Sequence, residues 1–508
     1  MTPYVYSTLP PGSFTRMIRL LPQRERNAPI ECAIVHYDLS ASESQNHLYE
    51  ALSYTWGSNY KPKSIVINNS LLPVTENLHT ALLYLRDHQL ERILWVDAIC
   101  INQEDNKEKN TQISLMRAIY AQADRVIIWL GVPDQSGENA LDTIHQLAEK
   151  KVILNSGTQN VRLSRADYYA CMRLLKHDWF RRIWVLQEVG VARSIIFRCG
   201  LAQVNGYAFC EGLSGLTLSL LPEHVLPVIP LVRNSIARPR SSQKLPGSLP
   251  IGELLDTYHT HFASVPHDKI YALLGLCSDN PETPCLRPNY QLAFSAVVRQ
   301  VVTYVFRGNH SVEVQPGTNI AVIKGKGWIL GRITSVESSK HLHDYQTISI
   351  AFHESTLGVA FKNEWGKEWV IHASARPVQV YDIVCFLHRA SKPTIVRLRK
   401  GGRISVIVSM TTPEIVKRMN GYGSFRQQSE RKISDIQNEV KNISPVDLIL
   451  TWDIDQAHRE SNSDMTTPGV SDIRSPESLW QTLLEKKREI RSTIVSYSYT
   501  NTGKRKSA

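Results

Sequence analysis

Three strand-like runs constrain this chain more than any other feature: RILWVDAIC from Arg92 and RVIIWLG from Arg125, apolar nearly throughout, and SIIFRCG from Ser194, which carries Arg198. A strand that alternates apolar and polar residues keeps one wet face. A strand apolar throughout keeps none, and belongs inside a parallel sheet covered by helices on both sides. Helical patterns fill the intervals. Ile113, Met116, Ile119, Tyr120 and Ala123 share one face before the second run. Stretches at roughly 138–150 and 164–177, then WFRRIWVLQEVG (179–190), precede the third. Strand, helix and strand in this succession predict an α/β fold, a parallel sheet flanked by helices.

Around this unit the patterns are shorter. RMIRLLP and IECAIVHYDL predict an N-terminal β-hairpin; YEALSYTWG (49–57) reads as a strand ending at a glycine. SIVINNSLLPV (64–74) reads as a hairpin with Asn68-Asn69 at its turn. Thr75 is placed to cap a helix whose apolar stripe is Leu78, Ala81, Leu82 and Leu85. RPRSSQKLPGSLP (238–250) has the composition of a linker. Beyond it LLDTYHTHF, DKIYALLGL and AFSAVVRQVVTYVF read as helices, and from about 318 to 410 short alternating runs read as strands. The expected organisation is an α/β domain over 1–237 with its N-terminal hairpin, a linker over 238–250, a helical segment over 251–317, a mainly β region over 318–410, and a partly disordered C-terminal extension over 411–508. At 508 residues the chain exceeds what one core supports.

Composition narrows the function classes. An excess of 58 Lys and Arg over 47 Asp and Glu gives +11, but the positive residues are spread along the chain and no nucleic-acid reader motif accompanies them, so nucleic acid is not the expected partner. Eight cysteines without CxxC or metal-ligand spacing suit a reducing compartment. The N-terminus has no secretory pattern, and the most apolar long window, from Ser214, is broken by Glu223, His224 and prolines. A cytoplasmic protein without a membrane span is expected. GxSxG, HExxH and GxxxxGK[ST] are all absent. His259, His261 and His267 read as residues that cap and flank a helix.

Ligands of parallel α/β sheets gather at the carboxyl ends of the strands. Asp97, at the end of its apolar run, suits a ligand hydroxyl, or else caps the next turn or pairs with an arginine. Trp56 beside Gly57 offers a stacking surface or a piece of core. Asn102, Gln103 and Asp105 read as turn-formers and a helix cap, and a metal site from Asp97, Asp105 and Glu108 would have no histidine in support. Glu188 is the sharpest case. Its helical neighbours are Trp184, Val185, Val191 and Ala192, none cationic. An ionised carboxylate buried there without a partner is costly, so it must reach water, meet a distant arginine, or face a ligand.

YEALSYTWG, LWVDAICINQED, QISLMRAIYAQADRVIIWLG and WFRRIWVLQEV, in this order, resemble the heterokaryon-incompatibility (HET) domain of filamentous fungi. PHDKIYALLGL, LRPNY and YDIVCFLHRASKPTIVRL resemble the extension that often follows it, so the likeness spans roughly residues 16 to 410. Tyr381 stands where that family usually has glycine, and His267 where arginine is common. The resemblance implies a role in non-self recognition and regulated cell death, with a protein partner or allelic incompatibility protein and homo-oligomerisation on activation. HET domains are in turn similar to TIR domains, which implies a flavodoxin-like sheet, and Trp184-x-x-x-Glu188 resembles the tryptophan and glutamate of catalytic TIR domains. In those enzymes the glutamate contacts the ribose of NAD as nicotinamide leaves. The same likeness implies Glu188 as catalytic residue and Trp56, Asp97 and Trp184 as ligand-binding residues, with NAD as substrate. The stretch between Gly131 and Trp184 is longer than a plain TIR domain has.

Overall fold

A computed structural model describes residues 1–454 except 26–27, 42–47, 59, 134–139, 155–162, 217–220, 223, 238–248, 281–282, 309, 316–317, 339–344, 353–367, 373–377, 400–401, 411–413, 418–424, 428–439 and 441–443. Most of the linker and the expected disordered tail with its short helix therefore lie outside the described residues. The protein is mixed α/β, with a large sheet flanked by helices followed by a sheet-rich region.

The N-terminal hairpin is β1 (Phe14–Leu20) and β2 (Glu31–Asp38), paired antiparallel. Next come β3 (Glu50–Tyr54) and the hairpin β4 (Lys63–Ile67) and β5 (Ser70–Val74). Asn68 and Asn69 turn this hairpin with φ of 47° and 63°, the left-handed pair that a two-residue turn requires. Thr75 caps α1 (Glu76–Leu85) by accepting the Leu78 N–H, and Leu78, Ala81, Leu82 and Leu85 are its buried face. Burying each such leucine stabilises the fold by roughly 1.5–3 kcal/mol.

β6 (Arg92–Trp95), α2 (Asp97–Cys100), α3 (Asn106–Gln122), β7 (Arg125–Trp129), α4 (Ala140–Leu154), α5 (Arg165–Leu175), α6 (Trp184–Gly190), β8 (Ile195–Cys199) and β9 (Ala202–Asn205) complete the sheet. Its order is β5-β4-β2-β1-β6-β3-β7-β8-β9. The inner strands β6, β3, β7 and β8 are mutually parallel. Taken alone, in chain order, they run 2-1-3-4, the doubly wound flavodoxin-like arrangement, with its switch point between β3 and β7. The N-terminal residues cover the far edge, where Tyr4 and Thr2 pair with Leu71.

Two apolar stretches break sooner than their patterns predict. RILWVDAIC is a strand only to Trp95. There the Asp97 carboxylate takes the Ala98 N–H and the Cys100 thiol takes the Val96 N–H, so the backbone turns into α2 instead of continuing the ladder. WFRRIWVLQEVG is two pieces, a 3-10 turn at Asp178–Arg181 and α6, separated by extended Arg182. The cause is distant in sequence. Phe262 donates its N–H to Arg181 O (2.5 Å) and accepts that of Ile183 (2.9 Å).

α7 (Gly206–Leu213) packs on α4 so closely that a Cβ on Gly212 would stand 2.1 Å from Ile144 O. A backbone carbonyl in a helix cannot step aside. Gly212→Ala is expected to cost about 3 kcal/mol by overpacking, read as a lower urea midpoint at unchanged slope.

α8 (Val228–Arg233), α9 (Ile251–Tyr258), α10 (Asp268–Tyr271) and α11 (Phe294–Phe306) lead to the second sheet. That sheet holds β10 (Ser311–Val314), β11 (Ile320–Ser338), β12 (Tyr345–Phe352), β13 (Glu368–His372), β14 (Ile383–Leu387), β15 (Thr394–Leu398), β16 (Ile404–Val408), β17 (Glu414–Lys417), β18 (Phe425–Gln427) and β19 (Val446–Asp453). β11, 19 residues long, pairs with β19 over its first part and with β14 and β12 over its later part. Pairings β14–β15–β16–β19–β11–β14 form a closed ring, so β structure runs past residue 410. Asp256 of α9 is buried against this ring and accepts from Ser409 N (2.5 Å), Ser409 Oγ (2.8 Å) and Trp452 Nε1 (3.1 Å). Tyr381 holds φ 75°, a left-handed value that explains why glycine suits this position.

Candidate active site

The polar residues of interest collect where β3 ends, at the switch point. Ser53, the fourth residue of β3, is fully buried, a hydroxyl in an otherwise apolar strand. Its Oγ donates to Glu188 Oε2 and accepts from Trp179 Nε1 (2.7 Å). Glu188 is 2% exposed, and among the described residues no hydrogen bond holds its Oε1. One carboxylate oxygen is anchored and the other is uncommitted.

A cation is nearby, though it lies off the helix. Arg182, in the extended break before α6, donates from Nη1 to Tyr54 O, and its charge favours ionisation of both Glu188 and Asp97. It makes no direct ion pair with either carboxylate among the described residues. Burial dominates, so the Glu188 carboxyl is raised to about 7; Arg182 and the Ser53 hydrogen bond pull it down, and the Asp97 charge pushes it up. Near neutral pH this carboxyl divides between its protonated and ionised forms.

Asp97 begins α2 at the carboxyl end of β6 and is already well engaged. It accepts from Trp56 Nε1 (2.8 Å) and from Ala98 N (2.7 Å), with the Tyr54 hydroxyl also favouring its ionised form. Burial raises its carboxyl, against Arg182 and these donors. Capping its own turn and fixing the Trp56 ring are what its geometry does. Trp56 is partly exposed beside Gly57, whose φ is 71°. Trp184 shares α6 with Glu188, and it lies beside Asp268 of α10, whose ionised form it favours. Asp105 caps α3 through the Lys107 and Glu108 N–H groups, and Glu108 is bound to Arg16, which accounts for both without a metal.

The structure thus brings Glu188 and Asp97 into one electrostatic neighbourhood, ties Trp56 to Asp97, and sets Trp184 beside Asp268. Sequence reasoning missed Ser53, Tyr54, Trp179 and Arg182. Ser53 carried a signal, being a polar residue in an apolar strand. Arg182 was hidden by treating its segment as one unbroken helix.

Residues 49–188 match the family model described as Heterokaryon incompatibility protein (HET). This stretch is a HET domain. It begins one residue before β3 and ends at Glu188. The chain is also 28% identical over 375 residues to Heterokaryon incompatibility protein 6, OR allele, of Neurospora crassa, covering 61% of this chain and 54% of that protein. It therefore spans about half the length of this curated relative. No solved structure matches. Among the described residues no helix is long and apolar enough to cross a membrane.

Proposed function

We propose that this chain acts in heterokaryon incompatibility, in fungal non-self recognition and regulated cell death in the cytoplasm, and that its HET domain does so by TIR-like cleavage of NAD. The incompatibility role rests on the HET match and the Neurospora relative. The chemistry rests on one observation, a glutamate at the switch point with one oxygen fixed by Ser53 and the other uncommitted. Breaking the bond between ribose C1′ and nicotinamide sends its electron pair to the departing base and leaves positive charge on the ribose. An ionised Glu188 stabilises that charge until water adds to C1′ and a proton is released. Arg182 keeps a fraction of Glu188 ionised at neutral pH, and Trp56 supplies a held aromatic ring.

Purified protein, dilute and concentrated, is incubated with NAD and nicotinamide release is followed. Release is expected to rise with pH through about 7, as Glu188 ionises. Glu188→Gln, which keeps an acceptor for Ser53, is expected to lose on the order of 100-fold. No release at either concentration, or undiminished release by the variant, defeats the chemistry.

A second reading is favoured by a different observation: Glu188 is nearly enclosed. The domain then works without catalysis, through an allelic protein partner or homo-oligomerisation on activation, and Glu188 is an internal polar residue. A cell-death assay separates the two. Killing retained by folded Glu188→Gln selects assembly; killing lost selects chemistry.

A further inference from the structure

The short helix carrying Glu188 is held from outside its own domain match, along one side, by residues 262–276. α6 has no side-chain cap at its start. The Ile183 N–H just ahead of it goes to Phe262 O (2.9 Å), and Phe262 N–H returns to Arg181 O. Trp184 lies beside Asp268 and favours its ionised form, and Asp268 accepts from Tyr290 OH (2.6 Å). The Gln187 amide, with its NH2 toward Ala272 O (3.1 Å) and its oxygen toward the Arg117 N–H (2.9 Å), ties α6 to α3 and to the same segment. Arg117 in turn donates to Gly275 O. Two glycines permit the approach: a Cβ on Gly275 would lie 2.4 Å from Gln187 Cδ, and one on Gly190 would lie 2.3 Å from Leu276 Cδ2. Ile183, Trp184, Gln187 and Gly190 recur at helical spacing, and this whole face meets residues 262–276, while Glu188 points to β3.

We infer that residues 262–276 form an autoinhibitory clamp, which sets α6 in the position that encloses Glu188 and whose release admits a ligand to that carboxylate. A helix of seven residues has little stability alone, so its place depends on what grips it. The clamp contributes the partner of the Ile183 N–H at the start of α6 and the carboxylate beside Trp184. With these gone, α6 keeps the Ser53 hydrogen bond, the Gln187 bond to the Arg117 N–H of α3, and apolar packing to hold Glu188 in place. The regulatory meaning rests on Glu188 being the working group; the mechanical meaning does not.

Two variants of the full chain loosen the clamp differently. Asp268→Ala removes the carboxylate beside Trp184, and Gly275→Ala wedges the segment away from Gln187. Tyr290→Phe, which removes only the tyrosine donor and leaves the Asp268 carboxylate beside Trp184, is the control. Amide hydrogen exchange over 183–190 and modification of Glu188 by a water-soluble carbodiimide are read by peptide mass analysis, with α3 and β3 as internal references. Both readouts are expected to rise about tenfold in the two variants, with α3 and β3 changed far less. Unchanged exchange and labelling in folded variants overturn the clamp, as does an equal rise throughout α3 and β3. Nicotinamide release is measured alongside. Labelling that rises without any release leaves the clamp standing and removes the NAD reading. Release by the unmodified protein, with 183–190 unaffected in the variants, does the reverse.

Discussion

Arg16→Met is expected to lower the unfolding free energy by about 3–5 kcal/mol, because it strands a carboxylate that is almost out of water. Arg16 is fully buried on β1 and meets both oxygens of Glu108, at 2.6 and 3.0 Å. It also donates to Cys100 O (3.1 Å) and Ser7 O (2.5 Å). Four parts of the chain therefore converge on one guanidinium: the N-terminal residues, the end of α2, the first turn of α3 and β1. Tyr6 lies over it, 5.0 Å from the guanidinium carbon to the ring centroid. The double variant Arg16→Met, Glu108→Leu is expected to recover much of the loss, since no charge is then left without its partner. Equilibrium urea unfolding of the two variants checks this. A single variant within about 0.5 kcal/mol of the parent would mean that the pair is solvated.

Acid is expected to destabilise the protein through His261, and His261→Phe to remove that sensitivity. The imidazole is fully buried, and neither ring nitrogen has a hydrogen-bond partner among the described residues. Burial, then the fields of His224, Lys269 and His259, lower it from 6.5 to about 3. In the unfolded chain the ring takes its proton near 6.5; in the folded chain it does not until about 3. The unfolded state binds more protons throughout that window. Stability that is full above pH 6.5 is therefore lost as pH falls through it, by about 1.4 kcal/mol for each pH unit. Between pH 7 and 4.5 this one group accounts for roughly 2–3 kcal/mol. Phenylalanine keeps an aromatic ring against Tyr258 and carries no proton, so the variant's unfolding free energy should change less over the same range. Parallel pH profiles for parent and variant would show that the ring is hydrated after all.

What was legible in the sequence was whatever neighbouring residues decide. Thr75, Asn68 and Asn69 act within a few residues of themselves, and each does what its chemistry predicts. The apolar run from Arg125 needed only its own composition to be recognised as an interior strand, and the run from Ser194 needed the strand-helix succession as well. The site was legible in part. Glu188 was conspicuous because a carboxylate on an apolar face has to be explained, and it is indeed enclosed. Its surroundings were not conspicuous, because the Arg182 backbone is drawn out of helical form by Phe262, far along the chain. Likewise nothing local marks Asp97 as the residue that holds Trp56, and nothing local marks Val446–Asp453 as a partner for β11.

The placement of β19 governs how this protein can be made. It lies between β16 and β11, so the last described strand to leave the ribosome is an inner stave of the ring. Until residue 453 has been synthesised, β11 and β16 wait with open backbone edges, a template for pairing with other nascent chains. A premature stop between the end of β16 at Val408 and Val446 would fix the chain in that unclosed condition. Transcripts shortened at the 3′ end should accordingly yield aggregates rather than a smaller working protein.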